Sequence, residues 1–391
     1  MWTKPKIEPL PELEPIKIRH WLIIGLITLV AITLLGFILL PRRYQENYPL
    51  LILFICGCTL MMTGVLFSIR LFMYGIQQEK NKIWYEETQY LHQQWQNWAM
   101  QSLAILDSVI ILPDNLSNLV DSIVNNAQSL PIDYTKINQF ENTDDTFYFN
   151  CFDEIFANIA GNLNKFEQHL KLIIWLDSYD NPTVLEQAIY QAANKWQLKQ
   201  KIELNPYPIH TGNALIINQL IDDNQPALYL IISNNAQSQT SSAFISALLM
   251  VNTQLLSTMD EIKPQSYLLR SMLTTPSEYE AAIQQMLDIQ PAFNNTTQCW
   301  HSQIDGEALN QLTMVLAKND IVTTTPLVRH DIDGYFGIPN EEMTYWLLLA
   351  LTSQLCKKNG QHHLVATQLR SNRVLSLLCP EVKNKLKRGA V

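Results

Sequence analysis

Two uncharged apolar runs of twenty residues decide most of what this chain can become. They are "WLIIGLITLVAITLLGFILL", Trp21 to Leu40, and "LLILFICGCTLMMTGVLFSI", Leu50 to Ile69. A helix of ~20 apolar residues matches a hydrocarbon core ~30 Å thick. A cleaved leader does not fit: the first run is too long, Pro41-Arg42-Arg43 is no small-residue cleavage site, and a second run follows at once. The short link "PRRYQENYP" makes the pair a predicted transmembrane hairpin, with the lipid bilayer as its first partner.

Flanking charge sets the expected orientation. Lys4, Lys6, Lys17 and Arg19 precede the first run, and Arg70, Lys80 and Lys82 follow the second; the link holds only Arg42 and Arg43. Seven cations against two predict both ends of the hairpin in the cytoplasm. Cysteines at 56, 58, 151, 299, 356 and 379 show no C-x-x-C spacing, so free thiols are expected rather than a disulfide framework or a zinc site. The net charge of −9 argues against a nucleic-acid partner.

Residues 1–20 alternate Pro with Glu and Lys and read as an extended cytoplasmic arm. The hairpin is assigned 21–76, a helical connecting region 77–165, an α/β domain 166–382 and a basic tail 383–391. Trp84, Leu91, Trp95, Trp98, Ile105, Val109 and Leu112 fall on a stripe of roughly 3.5-residue period, predicting one helix over 70–112 that stops at Pro113. Trp84, Trp95 and Trp98 are the interaction candidates, either packing against the soluble domain or a second copy, or meeting a partner. "NQFENTDDTFYFN" reads as a flexible piece.

From about residue 168 strands alternate with helices, the pattern of an α/β layered domain. "LKLIIWLDS", "QKIELNPYPI", "PALYLIIS", "SSAFISALLMV", "QSYLLRSML", "TQCWHSQ", "HHLVATQL" and "RVLSLLCP" read as strands. "NPTVLEQAIYQAANKWQL", "GNALIINQLIDDN", "TPSEYEAAIQQMLDI", "GEALNQLTMVLAKN" and "NEEMTYWLLLALTSQLCKKNG" read as helices. There is no G-x-G-x-x-G, P-loop, H-E-x-x-H or G-x-S-x-G, and no cofactor or metal is expected. His362-His363 reads as a surface pair, and Asp177 and Asp180 as turn residues. Asp331 and Asp333 are too few to hold a cation by themselves.

Two stretches carry more content: "CWHSQIDGEALNQL" and "RHDIDGYFGIPNEEMTYWLLLAL", the latter read as a glycine-containing loop before an apolar helix. From about 168 to 380 the order of elements resembles the thiolase and β-ketoacyl synthase superfamily, whose two similar halves build an α-β-α-β-α layered fold. "NPYPIHTGNALIINQLIDDNQPALYLIIS" looks like that family's nucleophile elbow with its helix and strand, placing His210, Thr211 and Gly212 at the elbow. "WHSQIDGEALNQL" puts His301 on the family's histidine and Glu307 near its acidic end; His330 and Gly334 stand near its later histidine loop. The elbow has no cysteine, and such chemistry needs a thiolate with proton-transferring partners. The resemblance with that departure implies a catalytically degenerate domain with no catalytic residue.

The anchored layout resembles accessory inner-membrane proteins of bacterial type VI secretion systems. That resemblance implies a multi-pass inner-membrane protein with a cytoplasmic soluble domain. It also implies a non-enzymatic docking role, secretion-system membrane or baseplate proteins as partners, and a homodimer. Two alternatives stand beside it. One is a membrane-bound acyl-transfer or acyl-binding enzyme, with Cys299 and His301 sharing one face of a strand. The other is a membrane-tethered sensor for a small ligand.

Overall fold

A computed structural model describes residues 2–3, 10, 13, 15–41, 47–113, 116, 120–121, 144–178, 180–205, 213–223, 225–236, 241–256, 262–318, 327–337 and 341–381. The chain divides into two compact units, Lys4–Gln94 and Met1–Thr3 with Trp95–Val391.

The first unit is helical. Helices α1 (Ile18–Leu39) and α2 (Tyr48–Ala99, which enters the second unit at Trp95) are both long and apolar enough to cross a membrane. Trp21 meets Phe67 edge-on, Gly25 faces Thr63 and Gly36 faces Ile55, so the two helices pair antiparallel. Their hydroxyls are satisfied inside each helix: Thr28 and Thr33 donate to carbonyls on α1, and Thr59, Thr63 and Ser68 to carbonyls on α2. A hydroxyl without water needs such a partner. Leu22, Leu26, Ile27, Leu53 and Leu60 point outward, as lipid-facing side chains do.

The second unit is an α/β body around a sheet that has eleven strands among the described residues. In chain order it runs β1 (Ser102–Ile111), α3 (Asp144–Leu163), β2 (Lys171–Ser178), α4 (Pro182–Lys195), β3 (Lys201–Asn205), α5 (Asn213–Asp222), β4 (Ala227–Asn234), β5 (Ile245–Asn252) and α6 (Thr253–Leu256). There follow β6 (Ser266–Leu269), β7 (Met272–Thr274), α7 (Tyr279–Ile289), β8 (Thr296–Ser302), α8 (Gly306–Lys318), β9 (Val328–Asp331), α9 (Asp333–Phe336), α10 (Glu341–Asn359), β10 (His362–Leu369) and β11 (Asn372–Cys379).

The strand order β3-β2-β4-β5-β1-β6-β11-β10-β8-β9 reads the same from its centre outward, with β1 matching β6, β5 matching β11, β4 matching β10, β2 matching β8 and β3 matching β9. Directions agree as well. β2 runs parallel to β3 and β4, as β8 does to β9 and β10, and the next two pairs in each half are antiparallel. The halves join through a four-residue antiparallel ladder, Ser102–Ile105 against Ser266–Leu269.

Burial gives the layers. Every residue of α10 from Met343 to Ser353 is buried, and the helix touches strands of both halves, β4 and β5 as well as β8 and β10. A helix lying on one sheet face keeps a solvated stripe; one apolar all round is enclosed. The half-sheets therefore wrap α10 from two sides and share one core, which includes Tyr229, Met250, Trp300 and Val365. On the outer faces, α3 and α4 cover the first half and α7 and α8 the second. This is an α-β-α-β-α arrangement.

The structure corrects several expectations. The long helix does not run over 70–112: it starts back at Tyr48 and ends at Ala99, and "SLAILDSVII" is strand β1. Ile105 and Val109 then point to opposite faces, Ile105 into the central core and Val109 toward α3. Residues 144–150 of the presumed flexible piece open α3. "QSYLLRSML" breaks at Arg270-Ser271 into β6 and β7. "VRHD" is edge strand β9 rather than loop. His363 is fully buried, not a surface residue.

Candidate functional site

Strand β8 carries alternating loads. Cys299 and His301 face the α7/α8 side, and Trp300 between them faces α10. In the parallel ladder to β9, Trp300 pairs with His330 and His301 with Asp331. The two expected histidines are thereby separated. His330 stacks on the Trp300 ring, centroids 4.0 Å apart, while His301 sits beside Asp331, Nδ1 to Oδ1 3.9 Å.

His301 ends up at the carboxyl end of its strand, the edge at which open α/β sheets place their ligands. Burial lowers its pKa below 6.5, although Asp331 and Asp333 pull the other way. The neutral imidazole can accept a proton. Asp333 accepts from the Ser302 hydroxyl and from the Gln303 N–H at 2.7 Å, and its own N–H donates to Asp331 at 3.0 Å. Burial raises the Asp333 pKa, opposed by those hydrogen bonds. Asp331 and Asp333 thus brace the loop. Gln303 is held at φ 55°, a left-handed conformation a non-glycine residue adopts at a cost of about 1–3 kcal/mol.

Both halves of the body reach this place. The Ser242 N–H, from the first half, donates to the Phe336 carbonyl at 2.9 Å; Ser241 bridges Gly337; Phe244 meets Phe336 edge-on. Gly334 lies inside α9, between Asp333 and Phe336. Glu307 is exposed on the first turn of α8, away from the His301 cluster's hydrogen bonds. Asp305 rather than Glu307 caps that helix: it accepts from the Ala308 N–H at 2.7 Å and pairs with Arg373. The Ala308 hydrogen bond holds its carboxyl below the usual range, aided by Arg373.

His210, Thr211 and Gly212 lie outside the described residues. Cys299 is fully buried, which pushes its thiol up to about 12, so the Cys299–His301 pairing supplies no thiolate. Trp84 is exposed on α2. Trp95 is buried in the body, and Trp98 packs against the same cluster.

A polar arrangement not foreseen from sequence lies under Trp300. Its indole N–H donates to His363 Nδ1 at 3.1 Å, and His363 Nε2 faces the Asn359 side-chain oxygen at 3.2 Å. An acceptor Nδ1 fixes the neutral tautomer with its proton on Nε2. Burial accordingly depresses the His363 pKa to about 3.

The sequence matches no protein-family model and no curated protein. Solved structures do match. A ketosynthase of a type II polyketide synthase, in complex with its acyl-carrier protein (AntDE:AntF), aligns over 72% of this chain and 99% of its own, with 6% identity and a TM-score of 0.50. The ishigamide ketosynthase/chain length factor covers 71% and 99%, with 10% identity and a TM-score of 0.44. The 3-oxoacyl-[acyl-carrier-protein] synthase III of Aquifex aeolicus covers 71% and 99%, with 13% identity and a TM-score of 0.41. These matches lend no support to the secretion-system resemblance or to loss of catalysis. The expectation of a non-enzyme is corrected: the fold is one built by ketosynthases, which are enzymes. The α/β body has a thiolase-like, ketosynthase-like fold, carried behind two helices of membrane-crossing length.

Proposed function

We propose that the chain is a membrane-anchored acyl-handling enzyme that binds an acyl thioester at the His301 end of β8. One observation carries the reading. A neutral imidazole and a carboxylate stand together at the carboxyl end of a parallel strand, where loops of the two halves meet. The ketosynthase fold supports the substrate class, since the AntDE:AntF structure is of an acyl-carrier protein in complex with its ketosynthase bound to the hexaketide. His301 takes up or returns the proton of the reacting group, Asp331 orients the imidazole, and Asp333 with Ser302 fixes the turn that follows Asp331.

The test uses the full chain in detergent with octanoyl-CoA and octanoyl-pantetheine. Saturable binding and thioester turnover are expected. His301→Asn should keep binding and lose about 10²–10⁴-fold in rate, the usual share of one general acid–base group. Asp331→Asn should shift the acid limb of the pH–rate profile to lower pH, because Asp331 raises the His301 pKa. Wild-type protein that neither binds nor turns over either thioester sinks the proposal.

A further inference from the structure

One described residue of the segment preceding α1 is not solvated. Trp2 is buried in the α/β body. Its indole N–H donates to the Ser271 carbonyl at 3.3 Å, and its own carbonyl accepts from the Gln285 side-chain amide at 3.1 Å. The indole meets Trp98 edge-on, ring centroids 5.6 Å apart, and packs in the cluster that holds Met272, Ile283 and Met286. The opposite partner of Trp98 is Arg270, whose guanidinium carbon lies 4.3 Å from the ring centre.

That slot is built rather than accidental. At the Arg270-Ser271 break between β6 and β7 the Ser271 carbonyl accepts from side chains, Trp2 and Asn218, and the break is pinned from several sides. Arg270 Nε donates to the Trp98 carbonyl at 2.8 Å and its terminal nitrogens reach Asp222 and Gln101. Gln290 donates to the carbonyls of Ala99 and Arg270, and Asn218 exchanges two hydrogen bonds with the Ser271 backbone. Gln285, the donor to the Trp2 main chain, is itself buried. An indole pocket with a carbonyl acceptor for the ring N–H and an amide donor for the peptide carbonyl reads one tryptophan and its main chain together, which is peptide recognition rather than bulk packing.

We infer that this slot is a binding site for a tryptophan-bearing extended peptide, and that its occupant is Trp2 of this same chain. The site acts as a clasp. It joins the stretch before the hairpin to Trp98, four residues beyond the hairpin unit's last residue, Gln94. Chain segments from before and after the hairpin are thereby held in one compact unit. The inference is independent of the acyl-handling reading, since it involves neither His301 nor Asp331.

The experiment measures a fluorescent peptide of residues 1–15 against the full chain in detergent by anisotropy. The Trp2→Ala protein, its slot vacated, should bind the peptide at least ten-fold more tightly than wild type, whose slot is filled in cis. The same peptide carrying Trp2→Ala should bind at least ten-fold more weakly, and adding Gln285→Ala to the protein should weaken capture again. Equal binding by wild type and Trp2→Ala, or none by either, overturns the inference. Should Trp2→Ala show no cooperative unfolding transition, the slot stays testable with the photoreactive aromatic benzoylphenylalanine at position 2. Cross-links to Trp98, Met272 or Ile283 support the clasp, and their absence rejects it.

Discussion

Arg270 shows how much one side chain can organise. Its head is buried, yet it holds the last turn of α2 through the Trp98 carbonyl, the β1 approach through Gln101, and the end of α5 through Asp222. Three separate directions suit the planar, five-donor fork of a guanidinium; an ammonium gathers its three N–H groups on a single nitrogen. Arg270→Met should cost about 1–3 kcal/mol, the range for buried hydrogen-bonding groups left without a partner, read from the denaturant midpoint. Arg270→Lys should recover less than half of that. Nothing in "QSYLLRSML" announced this role: an arginine in an apolar run looks like a solvated strand residue until its partners, far apart in sequence, are known. His301 was legible because it stands at a strand end before Asp305-Gly306. His363 was not, because its partner Trp300 lies 63 residues away.

At the scale of elements, most strands and helices beyond residue 168 followed from pattern and bounding turn residues; the β6/β7 break and edge strand β9 did not. The failure at β1 has a physical cause. "SLAILDSVII" continues the apolar stripe of α2 without a proline or glycine between them, so local pattern could not mark where helix gives way to strand. What decides is tertiary: the strand lies between β5 and β6 with both faces covered. Helix α10 shows the converse, a helix whose period is hidden because no face is wet. Leu348→Ala, Leu349→Ala and Leu351→Ala, set roughly 0°, 100° and 300° around its axis, should each lose about 2–5 kcal/mol as buried leucines do. A near-neutral result at one of them in thermal or urea unfolding would mean the helix has an outward face. Helix α2 spans 52 residues, about 78 Å at 1.5 Å per residue, more than twice a hydrocarbon core of ~30 Å.

For the whole molecule, the lowered imidazoles set a direction for pH dependence. His301, His330, His362 and His363 are all held below 6.5, chiefly by burial. A group whose folded pKa is depressed takes up its proton more readily when unfolded. Its stabilisation is complete above the unfolded value of about 6.5 and drains away as pH falls toward the folded value. For His363 that window runs from about 6.5 down to about 3. Burial raises the carboxyls of Asp107, Glu154 and Asp333, which act in the opposite sense at lower pH. Unfolding midpoints of wild type should therefore drop between pH 6.5 and 4.5. His363→Gln, which keeps an acceptor but cannot charge, should show a shallower drop; identical slopes would remove His363 from this account.

The mirrored strand order bears on ancestry and on assembly. A body whose halves repeat one plan, joined by a ladder of four residues between β1 and β6, has the layout of two copies paired about a two-fold axis and later spliced into one gene. The splice is the connection between β5 and β6. If the interface around α10 descends from such a pairing, covalent continuity there is dispensable. Residues 1–258 and 259–391, expressed as separate polypeptides, should then find each other and co-purify as one folded complex.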